Sequence, residues 1–296
     1  MTKQTIGGQE YALCDHVRDD LAALEGFLAL SKAVFGLNFA PWRAGGWWGG
    51  DYIPHAIMES GRVVANVSAN VIRSAWRGEA KRFIQLGTVM TDPAFRGRGL
   101  SRHLMEAVCA RYDGQCDGMY LYANNSVLDF YPKFGFVPTE EHQCALPVTA
   151  SREPVRKMDM DDPRDRALLT ETYSARSNPC SALPMLGNTG LLMFYCGQFL
   201  KDCVYEIPGL DAVAVAEYDG DGLLLYDVFG GAPLQAVLSA LAKAETRIAR
   251  LGFTPLDAQC FQAEPRREED TTLFVKGELK ALFSENRAMF PLLSHA

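Results

Sequence analysis

The chain has 296 residues, enough for one large domain or two ordinary ones, and its 48% hydrophobic and 22% charged content describe a globular protein with a full core. A formal charge of −7 argues against non-specific nucleic-acid binding, and no apolar run approaches the roughly eighteen residues that span a membrane. The first sixteen residues carry no apolar h-region, so a cytoplasmic location is expected. The eight cysteines show neither C-x-x-C nor metal-ligand spacing and read as small buried hydrophobes, with no metal expected.

Taken in chain order, Leu21, Leu24, Leu28 and Val34 predict an amphipathic helix within residues 16–35. A Gly- and Trp-dense loop follows, with Trp42, Trp47 and Trp48 packing it onto something. A strand is predicted from Tyr52 to Glu59 and a turn at Ser60-Gly61. Val63, Ala65, Val67, Ala69 and Val71 then alternate with Asn66, Ser68 and Asn70, a strand with one apolar and one polar face. Residues 82–91 predict the next strand, and Leu104, Met105, Val108 and Cys109 give a helix its apolar stripe. Met119 to Ala123 reads as a strand and Val127 to Phe134 as a short helix.

Three prolines and a charge-rich run over residues 147–165 place a linker at 149–165, between expected domains at 1–148 and 166–296. The second half predicts a helix near Leu191–Leu200, strands near 202–207 and 211–218, a hairpin turn at Asp219–Gly222 and a buried strand. Gly230-Gly231 then leads into a helix from Leu234 to about Ile248. Strand, turn, strand, strand, glycine loop, helix occurs in both halves, so an internal repeat of architecture is expected; an unrelated α+β domain is the alternative.

The stretch FIQLGTVMTDPAFRGRGLS, residues 83–101, runs from a strand through Arg-Gly-Arg-Gly directly into a helix. Glycines let an anion approach the backbone, and a helix start offers unpaired N–H groups, so the stretch builds an anion site. A Walker loop is absent, since no Gly-Lys-Ser/Thr occurs, and Leu100-Ser101-Arg102 breaks a dinucleotide-binding glycine pattern. Arg96-x-x-Gly99-x-Ser101 instead resembles the coenzyme A pyrophosphate loop of the GNAT superfamily of N-acetyltransferases, with Ser101 in place of the usual Gly or Ala. Asn124, Tyr131 and Gly135-Phe136 resemble the second GNAT motif, so the resemblance covers roughly residues 50 to 140.

The resemblance implies an α+β GNAT fold, a mixed and largely antiparallel sheet flanked by helices, followed by a degenerate GNAT-like domain. It implies acetyl-CoA as co-substrate and direct attack by an acceptor amine, a small molecule or a peptide. The loop Arg96, Gly97, Arg98, Gly99, Leu100, Ser101 and the backbone of Val89, Met90 and Thr91 would hold the cofactor, in the family on a strand that splays from its neighbour. Asn124 would contact the cofactor arm or cap a helix. Tyr131 would protonate the leaving thiolate or simply pack. Many members carry a Glu eleven residues before the motif Arg; here that position is Gln85, and no carboxylate lies between Arg82 and Thr91. Glu59, Asp51 and His55, or a water relay at Asn66, Ser68 and Asn70, remain as bases, with His55 equally a hydrogen-bonded sheet residue. The apolar ending FPLLSHA would offer His295 or the Ala296 carboxylate if it docked in the cleft. Trp47, Trp48 and Tyr52, with Asn66 and Ser68, would border the acceptor. An acyl-CoA-binding sensor without turnover is the alternative reading.

Overall fold

A computed structural model describes residues 1–295. The first half supplies β1 (Thr2–Ile6), β2 (Gln9–Cys14), β3 (Tyr52–Glu59), β4 (Arg62–Trp76), β5 (Glu79–Thr91), β6 (Gly118–Ala123), β7 (Val137–Thr139) and β8 (Glu141–Pro147). The second supplies β9 (Arg156–Lys157), β10 (Val204–Ile207), β11 (Ala212–Asp219), β12 (Gly222–Gly230), β13 (Ile248–Leu251), β14 (Gln262–Arg266) and β15 (Thr272–Gly277). The helices are α1 (Leu21–Phe35), α2 (Ala40–Ala44), α3 (Leu100–Tyr112), α4 (Pro163–Ala175), α5 (Thr189–Phe194), α6 (Leu234–Leu241) and α7 (Leu279–Glu285). No helix among the described residues is long and apolar enough to cross a membrane.

The strands form two mixed sheets, ordered β1-β2-β3-β4-β5-β6-β15-β7 and β14-β8-β13-β12-β11-β10-β9. Each sheet contains one parallel pair, β5 with β6 and β12 with β13, and each pair is joined through a helix, α3 or α6. The expected repeat is therefore visible as topology. The two halves also exchange strands. β15, from near the end of the chain, lies between β6 and β7 in the first sheet, and β8 lies between β13 and β14 in the second. Phe274 and Val275 on β15 are buried in the first sheet, so this exchange is part of its core.

Packing forms three apolar layers. α3 covers one face of the first sheet, with Leu104, Met105 and Val108 against Val67, Ala69 and Val71. α6 covers the far face of the second, with Val237 and Leu238 buried. Between the sheets lies a shared core containing α1, α5 and the C-terminal segment.

That arrangement corrects several expectations. The polar face of β4 is not solvated: Asn66, Ser68 and Asn70 are all buried, because they point into the shared layer. Leu21 is exposed, since it opens α1 ahead of the buried Leu24 and Phe27. The helix from Leu234 ends at Leu241: Thr246 turns back on Lys243, and Ile248–Leu251 is drawn into the sheet beside β12. Residues 127–134 hold no continuous helix but one-turn 3₁₀ helices at Asn125–Val127 and Tyr131–Phe134, with Pro132 in the second.

Candidate active site

β5 and β6 are hydrogen-bonded only from Phe83–Gly118 to Gln85–Tyr120. Beyond that point they diverge, and a groove of about 890 Å³ opens between them. Val89, Met90 and Thr91 line its β5 wall. A bulge shapes this wall: Thr88 and Val89 together face the single residue Val67 on β4. Thr88 has φ 42°, a backbone setting that a β-branched residue adopts only against strain. Hydrogen bonds hold it there. The Tyr52 hydroxyl lies 2.8 Å from Thr88 Oγ1, Thr88 Oγ1 donates to Ser68 Oγ at 2.6 Å, and Asn66 Nδ2 donates to Ser68 Oγ at 2.9 Å and to the Thr88 carbonyl at 3.0 Å.

The loop after β5 closes one end of the groove. Asp92 Oδ1 accepts from the Ala94 N–H at 2.9 Å and Oδ2 from Arg62 at 2.9 Å, which fixes the exit from the strand. Gly97 and Gly99 have φ 77° and 81°, and a Cβ at either would meet no protein atom within 4 Å. These glycines leave an open cradle. Gly99 also caps α3, whose first N–H groups lack intrahelical partners. Arg96, Gly97, Gly99, Leu100 and Ser101 line the groove, and the hydroxyls of Thr91 and Ser101 bond to each other, tying strand end to helix start. The Arg96 guanidinium is exposed and has no hydrogen-bond or ion-pair partner among the described residues. Arg98 does not line the groove: it stacks over Phe95 at 4.5 Å, donates to the Ala94 carbonyl and approaches Glu59 at 4.0 Å. The glycine loop of the second half differs in kind, since a Cβ at Gly230 would meet the Asp211 carbonyl at 2.1 Å; that glycine serves close packing.

Asn124 and Tyr131 line the other wall. Asn124 makes no side-chain cap; its Oδ1 accepts from the Ser126 hydroxyl at 2.7 Å. Tyr131 packs against Phe130 and Phe274, with ring centroids at 5.2 and 5.7 Å. Burial pushes its phenol up to about 12.

The expected bases are scattered. Glu59 ends β3 next to Arg98 and does not line the groove. His55 is buried under α3, with Nδ1 3.2 Å from Asp15 and its ring against Tyr112. Asp51 is held at two points by Arg73, at 2.8 and 2.6 Å. Ala296 lies outside the described residues. The segment before it is docked between the sheets: Phe290 stacks on Tyr120 at 3.8 Å, and the Tyr120 hydroxyl donates to the Ser294 carbonyl at 2.9 Å. The His295 ring stacks on Tyr122, a residue of the groove wall, at 3.9 Å. Burial lowers that imidazole to about 3 and keeps it neutral.

A second, smaller cavity of about 170 Å³ adjoins the groove, and Leu37 and Thr88 line both. Tyr52 forms part of its wall; Trp47 and Trp48 do not, and Trp48 is packed in the core with its Nε1 donating to the Tyr52 carbonyl. Asn66 and Ser68 reach the cavity only through Thr88. Trp42 does line it, and its Nε1 donates to the Gly190 carbonyl at 2.6 Å. Gly190 is needed there, since a Cβ would meet the Trp47 carbonyl at 2.5 Å. Sequence reasoning did not find the contributions of Thr88 or of Gly187–Leu191. Thr88 owes its place to a bulge with no sequence signature, and the 187–191 segment arrives from the other half of the fold. Among the described residues, no group of three or more His, Cys, Asp or Glu is placed to hold a metal ion.

Residues 21–136 match the family model of the acetyltransferase (GNAT) family. No curated protein sequence matches the chain. Solved structures with the same fold include a probable N-acyltransferase from Enterococcus faecalis V583, at 11% identity and TM-score 0.57 over 90% of this chain and 72% of that one. They also include a GCN5-related N-acetyltransferase from Kribbella flavida, at 16% identity and TM-score 0.52 over 90% and 71%. Eis1 from Mycobacterium abscessus aligns at 13% identity and TM-score 0.54 over 89% and 72%. Residues 21–136 therefore form a domain that matches the acetyltransferase (GNAT) family, and the likeness of fold to these structures extends over about nine-tenths of the chain.

Proposed function

We propose that the chain transfers the acetyl group of acetyl-CoA to a primary amine by direct attack, with Tyr131 as general acid. The observation that carries this reading is the groove itself: a splayed strand pair, an open glycine cradle at a helix start, an unpaired Arg96 and a tyrosine line one continuous surface. Arg96 and the N–H groups from Gly97 to Ser101 bind the pyrophosphate. The edge of β5 from Val89 to Thr91, left unpaired by the divergence of β6, accepts the amide-bearing arm as an added strand.

The amine nitrogen forms its bond to the acetyl carbon as the carbon–sulfur bond breaks, and Tyr131 gives its proton to the departing thiolate. A phenol raised to about 12 is fully protonated at neutral pH, as this role requires. The amine must arrive neutral. Asp51 is the only carboxylate among the described residues lining either cavity, and it is occupied by Arg73. Deprotonation therefore falls to water at the Tyr52–Thr88–Ser68–Asn66 network or to desolvation of the amine. The experiment is thiol release from acetyl-CoA across a panel of amines: Tyr131→Phe should lower kcat about 100-fold or more without weakening cofactor binding. An unchanged kcat would remove Tyr131 from the chemistry.

A further inference from the structure

The cavity beside the groove has a chemistry of its own. Its surface is predominantly apolar, with Phe39, Trp42, Tyr52, Leu191 and Phe194 among its walls. Its volume, about 170 Å³, is close to the roughly 150 Å³ of an apolar protein cavity that holds one benzene molecule. We infer that the acceptor is a compact amine whose body is a single apolar ring on a short tether. This inference rests on the reading of the neighbouring groove as the acetyl-CoA site.

Three observations support it. A ring matches the cavity in size and in its predominantly apolar surface, whereas a polyamine or amino-sugar would lose hydration there. The shared residues Leu37 and Thr88 mark the junction, so a ring in the cavity places a tethered nitrogen where the groove begins. A nitrogen at that junction lies beside Thr88, whose hydroxyl belongs to the hydrogen-bond network that relays its proton, at a site whose one lining carboxylate is committed to Arg73. In the transfer the nitrogen lone pair forms the new C–N bond, the C–S bond breaks, the thiolate takes the Tyr131 proton, and the proton that the nitrogen loses returns through solvent to the Tyr131 phenolate. Asp51, Asn70, Thr88, Asn188 and Thr189 also line the wall; among the described residues Asn70 Nδ2 is buried without a hydrogen-bond partner, while Asn70 Oδ1 is 3.5 Å from the Asn188 amide nitrogen.

The test compares benzylamine and phenethylamine with spermidine, lysine and kanamycin in the thiol-release assay, alongside calorimetric titration with coenzyme A. It uses wild type and Gly49→Leu. Gly49 lines the cavity, its backbone is not in the left-handed region, and an added Cβ meets no atom within 4 Å, so this variant sets a bulky side chain at the cavity wall without a backbone clash. The ring amines should exceed the polar amines in kcat/KM by at least about tenfold, and Gly49→Leu should raise the ring-amine KM by a similar factor while its melting temperature and coenzyme A affinity stay at the wild-type values. Coenzyme A binding with turnover of the polar amines alone, or with no turnover of the ring amines, overturns the inference and leaves the cofactor reading standing. Ring-amine turnover that Gly49→Leu leaves unaltered also overturns it. Absence of coenzyme A binding overturns both.

Discussion

Thr88 Oγ1 sits 2.8 Å from the Tyr52 hydroxyl, and this contact joins the groove to the smaller aromatic cavity beside it. Thr88 occupies a bulge in the strand that lines the groove; Tyr52 belongs to the aromatic wall of the smaller cavity. Burial lifts the Tyr52 phenol to about 12, so it stays a hydrogen-bond donor or acceptor and not an anion. Tyr52→Phe should cost about 1 kcal/mol of stability, the usual net value of one buried hydrogen bond. It should raise the KM of the acceptor and leave that of acetyl-CoA unchanged. Equal effects on both KM values would show that the contact does not separate the two sites.

The strand exchange makes the two halves interdependent. A chain ending at residue 148 lacks β15 and leaves β6 and β7 with unpaired edges. It also uncovers the core that Phe274 and Val275 complete. Such a fragment is expected to aggregate or remain unfolded, as followed by circular dichroism and gel filtration. A monomeric, cooperatively melting fragment would contradict this.

Two buried carboxyls set a pH dependence of stability. Burial raises Glu141 to about 7, although it accepts from the Phe290 N–H at 2.8 Å and from the Tyr122 hydroxyl at 3.2 Å. Burial likewise raises Asp227 to about 7. A carboxyl raised in the folded state contributes stability that is complete below its ordinary value and is lost as pH rises through the folded one. The melting temperature should therefore fall between about pH 4.5 and pH 7, by about 2–4 °C per kcal/mol for a chain of a few hundred residues. Glu141→Gln should flatten part of that slope, because the amide keeps an acceptor for Phe290 without titrating. A melting profile identical to wild type would exclude Glu141 as a contributor.

Much of the first sheet was legible because its signals are local. Tyr52–Glu59 was bounded by a Ser-Gly turn, and the glycines at 97 and 99 announced the open loop. The Asn124-to-Tyr131 spacing placed both residues on one wall of the groove. What could not be read depends on long-range pairing. No local pattern tells Thr272–Gly277 to insert between two strands of the first half, or places Gly190 against Trp42. The burial of Asn66, Ser68 and Asn70 follows from the same fact, since only the second half turns a polar sheet face into an interior one. The direction of the Arg98 side chain was not legible, because charge in a loop says nothing about direction, and Phe95 and Ala94 draw that guanidinium away from the groove.

The difference between the two loop arginines gives the most direct test of the central claim. Calorimetric titration of coenzyme A into wild type, Arg96→Ala and Arg98→Ala should show tight binding by wild type. Arg96→Ala should lose about tenfold or more in affinity, as expected for removal of a charged contact worth about 1.5–3 kcal/mol, and Arg98→Ala should lose less. Wild-type binding should also weaken as salt is raised. No detectable binding by wild type, or equal affinity in wild type and Arg96→Ala, would contradict the account of the groove as a coenzyme A site.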